Sequence, residues 1–206
     1  SRIYCQAGCM LPHILSFCYE QNLAGLEFTF PVPASLGGAV YQNFGTFRQQ
    51  IADIICSVCF YDLRTHETKT IDLTTADNFF SYRYSIFQER PWVILGATLQ
   101  LSPSSKKQIS KQKKYISTQR SQRYPYKNTL GSVFRNPEEI PAGQLIDQCQ
   151  LKNLSVNGAS VCSTHANVIV NDGTAETEDI YELVQTIKKT VMSSTGIELE
   201  EEIVLY

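Results

Sequence analysis

The chain has 206 residues, a formal net charge of -2, 43% hydrophobic and 18% charged residues, the profile of an ordinary soluble protein. That length holds one large domain or two small ones, and no apolar run reaches the roughly 18 residues of a membrane helix. Seven scattered cysteines, an odd number without a signal peptide, predict reduced thiols in a cytoplasm, and the start at Ser1 without methionine predicts a fragment or processed form.

Leu11, Ile14, Leu15 and Cys18 follow helical spacing and predict an amphipathic helix over 9–22. Pro31-Val32-Pro33-Ala34-Ser35-Leu36-Gly37-Gly38 reads as a tightly bent loop. Residues 54–61 and 68–73 predict two strands joined by a polar turn, and 92–101 another strand. Cys56 and Cys59 form a CxxC on the first of these; on a strand they point to opposite faces, so buried structural thiols are expected rather than a metal site. Ser102-Pro103-Ser104-Ser105 punctuates the chain and sets the expected domain boundary, 1–104 and 105–206.

Lys106, Lys107, Lys111, Lys113, Lys114, Arg120, Arg123 and Lys127 fall in an interval without a carboxylate between Glu89 and Glu138. A nucleic acid or a diphosphate would suit such a run; a solvated basic helix over 106–123 suits it better, because few aromatics interleave it. Beyond it come a short helix over 142–150 and a long one striped by Ile180, Leu183, Val184, Ile187 and Val191. Acidic residues at the start of that helix and Lys188 and Lys189 near its end match its dipole. Strands at 155–163, 166–171 and 198–205 complete an α+β reading, with Gln144 and Asp147 taken as packing residues.

Two segments carry chemistry. Gly131-Ser132-Val133-Phe134-Arg135-Asn136-Pro137 offers a hydroxyl, a guanidinium and an amide, and Leu199-Glu200-Glu201-Glu202-Ile203 offers carboxylates. Together they suit binding of an anionic substrate and delivery of a proton, although Gly-Ser also makes plain turns. Strand alternation would put Glu200 and Glu202 on one face.

These two blocks follow, in order, Gly37-Gly38-Ala39-Val40-Tyr41-Gln42-Asn43 and Tyr82-Arg83-Tyr84-Ser85, with Ala142-Gly143-Gln144-Leu145-Ile146-Asp147 and His165-Ala166-Asn167 between them. Six ordered blocks over residues 25–203 resemble the UDP-N-acetylenolpyruvoylglucosamine reductases, in the form without a substrate-covering insertion. The resemblance implies a partial FAD-binding (PCMH-like) α+β domain, apparently lacking its N-terminal FAD subdomain, followed by a smaller α+β substrate-binding domain. It implies NADPH-dependent, FAD-mediated reduction of UDP-N-acetylglucosamine enolpyruvate to UDP-N-acetylmuramate for bacterial peptidoglycan, by a cytoplasmic monomer binding neither nucleic acid nor membrane.

By the same resemblance Ser132 is the general acid that protonates the enolate left by hydride transfer, and Arg83 meets the substrate carboxylate beside the flavin. Glu202 is the active-site carboxylate, either itself protonated or orienting another donor. Arg135, Asn136, Arg120 and Tyr82 are expected at the substrate, with Lys127 a weaker candidate, and Pro33, Ser35, Gly37, Gly38 and Asn43 at the flavin. His165 divides between core hydrogen bonding and site support. No metal is expected. Ala34 and Phe44 depart from the family pattern at the flavin-facing segment, which motivates the alternative of a catalytically incomplete relic keeping only the nucleotide-sugar pocket.

Overall fold

The structure, a computed structural model, describes residues 1–74, 79–122 and 128–204. The chain divides into two compact units, 1–118 and 119–206. The first runs β1 (Arg2–Gln6), α1 (Leu11–Glu20), β2 (Leu23–Ala24), α2 (Leu36–Tyr41), β3 (Gly45–Thr46), β4 (Gln49–Gln50), β5 (Ile55–Asp62) and β6 (Glu67–Asp72). It continues through β7 (Phe80–Ser81), β8 (Tyr84–Ser85), β9 (Trp92–Gln100) and β10 (Ser102–Pro103) into α3 (Lys106–Ser121).

Its main sheet is antiparallel in the order β1-β9-β5-β6. Leu11, Ile14, Leu15 and Cys18 are the buried stripe of α1, and they share one core with Phe28, Leu36, Val58 and Leu99. The β5–β6 hairpin and β9 match the sequence expectation. Strand β1 went unread: five residues with half-buried side chains alternating with exposed ones carry little apolar signal. It docks closely, for a Cβ at Gly96 would stand 2.7 Å from the Cys5 carbonyl oxygen and collide with the Tyr4 hydroxyl.

The two compact units divide at a different place from the expected boundary at Ser104–Ser105. The punctuation there ends a strand, while α3 sends Ile109 and Ile116 into buried positions, Ile116 in the first unit's core, so the units separate only after Thr118. Part of its basic face is also committed: Lys106 pairs with Glu20, and Lys113 lies over the Tyr19 and Phe30 rings.

The second unit runs β11 (Thr129–Ser132), α4 (Ala142–Gln148), β12 (Ser155–Val156), β13 (Ala159–Val161), β14 (Val168–Asn171) and α5 (Thr177–Thr195). Its sheet is antiparallel in the order β11-β14-β13-β12, and Leu183, Val184, Ile187 and Val191 of α5 bury into the core of this unit. A reciprocal capping box between Glu176 and Asp179 opens α5.

Two readings change here. Residues 155–163 form a hairpin around Asn157-Gly158 instead of one strand. Residues 198–205 make no strand among those described: Leu199 is buried, but pairing is limited to one bridge between Phe134 and Glu201. The Glu202 and Ile203 amides both address the Val133 carbonyl, at 2.7 and 3.4 Å, so the segment runs beside 133–135 for that one bridge and then bends.

Candidate active site

Gly131 takes φ +84° inside β11, and Ser132 ends that strand opposite Val168 with the register broken between Thr129 and Ser132. Beyond it Val133 and Phe134 are 1% exposed and gripped along both edges. On one edge the Asn167 carbonyl accepts the Val133 N–H at 2.9 Å, and the Asn167 carboxamide accepts the Phe134 N–H at 2.9 Å and donates to its carbonyl at 2.8 Å. On the other, the Val133 carbonyl takes the Glu202 N–H, and the Arg135 N–H donates to the Glu200 carbonyl at 2.8 Å. The fold thereby brings Glu202 to the residue that follows Ser132.

The three tail carboxylates are thus distinguished. Glu201 is engaged by Lys188 at 2.8 and 2.9 Å, Glu200 is exposed, and Glu202 is half-buried beside Val133.

Ser132 opens on a cavity of about 530 Å³ whose walls include Asn136, Asp147, Lys152, His165 and Asn167. Asn136 is exposed, and its side-chain oxygen accepts the Ala142 N–H at 3.1 Å, supplying the first turn of α4 with the cap that Pro141 lacks. Lys152 pairs with Asp147 at 2.7 Å, so the wall carries both charges of this ion pair. His165 Nδ1 accepts the Asn167 N–H at 3.2 Å, which in the neutral ring puts the proton on Nε2.

Gln144 and Asp147, expected to pack, instead line the cavity from the exposed face of α4, opposite buried Leu145 and Ile146. Their spacing of three on an amphipathic helix was the available signal. Lys152 and Thr164 were missed; nothing in their local sequence marks them. Arg135 and Arg120 are not among the described lining residues. Arg135 is half-buried, and its Nε is buried without a hydrogen-bond partner among the described residues. Arg120 is half-buried on the last turn of α3, and Lys127 and Arg123 lie outside the described residues.

Burial raises the Cys162 thiol beside this cavity, but hydrogen bonds from the Thr164 hydroxyl and from the Thr164 and His165 amides outweigh it. With Lys152 adding, the thiol sits below its ordinary value.

The residues expected at the flavin gather in the first unit, around α2. Ser35 caps this six-residue helix, its Oγ accepting the Gly38 N–H at 3.2 Å. The Leu36 and Gly37 amides donate to the Cys9 and Ala7 carbonyls, and the Ala39 amide to Ser35. Asn43 is fully buried, and its amide joins the Gln50 side chain, the Ser81 carbonyl and the Ala52 N–H. Pro33 is exposed on the preceding loop. Tyr82 and Arg83 form the two-residue turn of the β7–β8 hairpin, Arg83 with φ +55°. The Arg83 guanidinium lies 5.2 Å from the Tyr82 ring centre and donates to the Gly45 carbonyl at 2.8 Å.

The Leu36, Gly37, Gly38 and Ala39 amides, donors that could cradle a pyrophosphate, are therefore already held by the fold. Among the described residues, no group of three or more His, Cys, Asp or Glu could hold a metal ion, and no helix is long and apolar enough to cross a membrane.

A family model described as the C-terminal domain of UDP-N-acetylenolpyruvoylglucosamine reductase matches residues 122–206. The reductase of that name from Chlamydia muridarum is 38% identical over 185 residues, 89% of this chain and 60% of its own length. The one from a Synechococcus strain is 37% identical over 204 residues, 98% of this chain and 64% of its own length. The one from Pseudothermotoga lettingae is 34% identical over 206 residues, 99% of this chain and 71% of its own length. The chain thus spans about 60 to 71% of these relatives. A crystal structure of UDP-N-acetylenolpyruvylglucosamine reductase from Thermus caldophilus superimposes with a TM-score of 0.86 at 29% identity, over 98% of this chain and 71% of that one.

Proposed function

Because this chain belongs to the UDP-N-acetylenolpyruvoylglucosamine reductase family, we propose that it serves the NADPH-dependent, FAD-mediated reduction of UDP-N-acetylglucosamine enolpyruvate to UDP-N-acetylmuramate. The second unit contributes the substrate-holding and proton-delivering part. The observation that carries this reading is the pairing of the Glu202 amide with the Val133 carbonyl, next to a serine that opens on the cavity.

Ser132 Oγ–H is the proton donor in this reading. Its proton passes to the substrate carbon that carries the enolate's negative charge, a C–H bond forms, and the serine alkoxide recovers a proton from Glu202 or from water held by it. A serine is a weak acid, but an enolate is a strong base, so the transfer runs downhill. Fixed donors stabilise developing charge most where water is excluded. Arg135 suits an anion because its fork donates two bonds at once, and its unpartnered Nε supports that use. Asn136 and Lys152 bring an amide and a cation to the same cavity, while Arg120 stays assigned to the nucleotide on sequence grounds alone.

In the first unit, Arg83 is the proposed carboxylate-binding cation, braced by Gly45 and by the ring of Tyr82. Pro33, Ser35, Gly37 and Gly38 would meet a flavin as a shaped wall, and Asn43 would act through the loop it ties. The amides of Leu36, Gly37, Gly38 and Ala39 are already held by the fold. The same fact favours a second reading, a chain that keeps the nucleotide-sugar pocket without binding flavin by itself. A cytoplasmic monomer remains the proposed state, with seven free cysteines in keeping with that compartment.

The test is NADPH oxidation with FAD added, dependent on the enolpyruvyl nucleotide sugar, for the chain and for Ser132→Ala. Turnover that vanishes in the variant while flavin reduction by NADPH survives supports the assignment. Equal loss of both half-reactions sinks the role of Ser132, and binding of the nucleotide sugar without turnover selects the second reading.

A further inference from the structure

We infer that Asn167 is a positioning residue for this reduction, holding the backbone after Ser132 so that the serine keeps its place on the cavity wall and the Glu202 backbone stays docked on Val133. The inference rests on the reductase reading above and goes beyond it, to a residue whose polar side-chain atoms are turned away from substrate and onto the chain.

Asn167 is 3% exposed. Its carboxamide serves the N–H and the carbonyl of one residue, Phe134, at 2.9 and 2.8 Å, as a neighbouring strand's peptide would. Its backbone carbonyl takes the Val133 N–H. Three hydrogen bonds from one residue therefore fix two successive residues, Val133 and Phe134, and three successive peptide groups on the edge opposite the 200–203 segment. The remaining groups, the Val133 carbonyl and the Arg135 N–H, are the ones that receive Glu202 and Glu200. Tilting the Phe134 peptide would move both edges together.

The geometry is specific to asparagine. Aspartate keeps the acceptor for the Phe134 N–H but turns an oxygen toward the Phe134 carbonyl, and alanine leaves both groups buried without partners. Phe134 is 1% exposed, so water does not replace them cheaply. A displaced Ser132 would still allow substrate to bind, because Asn136, Asp147, Lys152 and His165 stay in place on the wall and the Asn167 polar atoms face Phe134. It would slow the proton transfer, which depends on the reacting atoms being in line.

The experiment compares wild type, Asn167→Asp, Asn167→Ala and the core control Val191→Ala, each with FAD, NADPH and the enolpyruvyl nucleotide sugar. Two readouts are taken: steady-state kinetics, and amide hydrogen exchange of residues 132–136 and 199–203. Both Asn167 variants are expected to exchange faster in both segments and to lose about tenfold or more in kcat with KM within about threefold, while NADPH still reduces flavin at the wild-type rate. Val191→Ala, which only empties core space, should keep kcat within about twofold. Should Asn167→Ala fail to fold, Asn167→Asp decides. Faster exchange with kcat unchanged overturns the inference, as does a kcat loss matched by Val191→Ala or by slower flavin reduction. A wild-type chain that turns over no nucleotide sugar removes the reductase reading and this role with it, an outcome distinct from turnover that ignores Asn167.

Discussion

The contact most open to a quantitative test is the pair between Lys188 on α5 and Glu201, which ties the tail segment to the unit that uses it. The ammonium reaches both carboxylate oxygens, at 2.8 and 2.9 Å, and each side chain is 25% exposed. Fully exposed pairs are worth about 0–1 kcal/mol, whereas breaking a buried pair costs about 3–5 kcal/mol. A pair three-quarters withdrawn from water falls between them, so Lys188→Ala should destabilise the unit by about 1.5–2.5 kcal/mol. With a urea m-value of about 1–3 kcal/mol/M, the midpoint drops by roughly 1 M. A double-mutant cycle with Glu201→Gln, followed by circular dichroism in urea, isolates the coupling, expected at about 1–2 kcal/mol. Because the charges are in contact, most of that coupling should persist at 1 M salt, where the screening length is still about 3 Å. A coupling below about 0.5 kcal/mol, or one that salt abolishes, would show a surface pair and refute the reasoning.

Three further outcomes follow from the geometry. Gly96→Ala pushes a methyl group against the Cys5 carbonyl, which β1 cannot withdraw without breaking its pairing with β9; a loss of about 1–3 kcal/mol in urea unfolding is expected, and unchanged stability would contradict the close docking. Asp62 is held below the usual carboxylate range by the Arg64 N–H first, with Lys69 and the Thr65 N–H adding against desolvation. Its contribution is therefore complete above the unfolded value and lost as pH falls through the folded one, so Asp62→Asn should flatten the acid limb of a Tm–pH curve, and parallel curves for both chains would disprove it. Burial, aided by Cys5 and Glu27, pushes the Cys18 thiol up to about 12, so iodoacetamide at pH 8 should spare it in the native chain and modify it in urea; rapid native labelling would contradict its placement.

Much of the first unit was legible because its elements have strong periods: the α1 stripe, the β5–β6 hairpin and the apolar run of β9. The misreadings have separate physical causes. Asn157-Gly158 is a strong hairpin signal, and at two residues per arm the flanking strands were short enough to be joined across it. Leu199 and Ile203 imitate strand alternation, but the segment makes one bridge and then bends, a geometry that period-2 reasoning does not contain. Serine-proline punctuation marked where a strand ends, while the units divide where burial of Ile116 ends. At the site, Ser132 and Glu202 could be named from the family resemblance, but the docking of Glu202 on Val133 comes from pairing between residues far apart in sequence. Lys152 joins the wall only through the turn that follows α4. Asn167 is the sharpest case, since its importance lies in what its carboxamide touches and not in its chemistry as a residue type.

The position of β9 also shapes how the first unit forms. It is the second-last strand of that unit, yet it lies between β1 and β5 in the sheet, pairing Arg2 with Gln100 and Asp62 with Trp92. Only the β5–β6 hairpin can form from neighbouring sequence; every other pairing in the sheet closes a loop of tens of residues. Loop closure of that kind raises contact order and slows folding relative to helical domains of similar size. During synthesis, β1 is made well before β9, the strand it pairs with in this sheet. Until β9 covers it, the strand leaves Ile3 and Cys5, which pack on the core once folded, open to solvent beside exposed Tyr4.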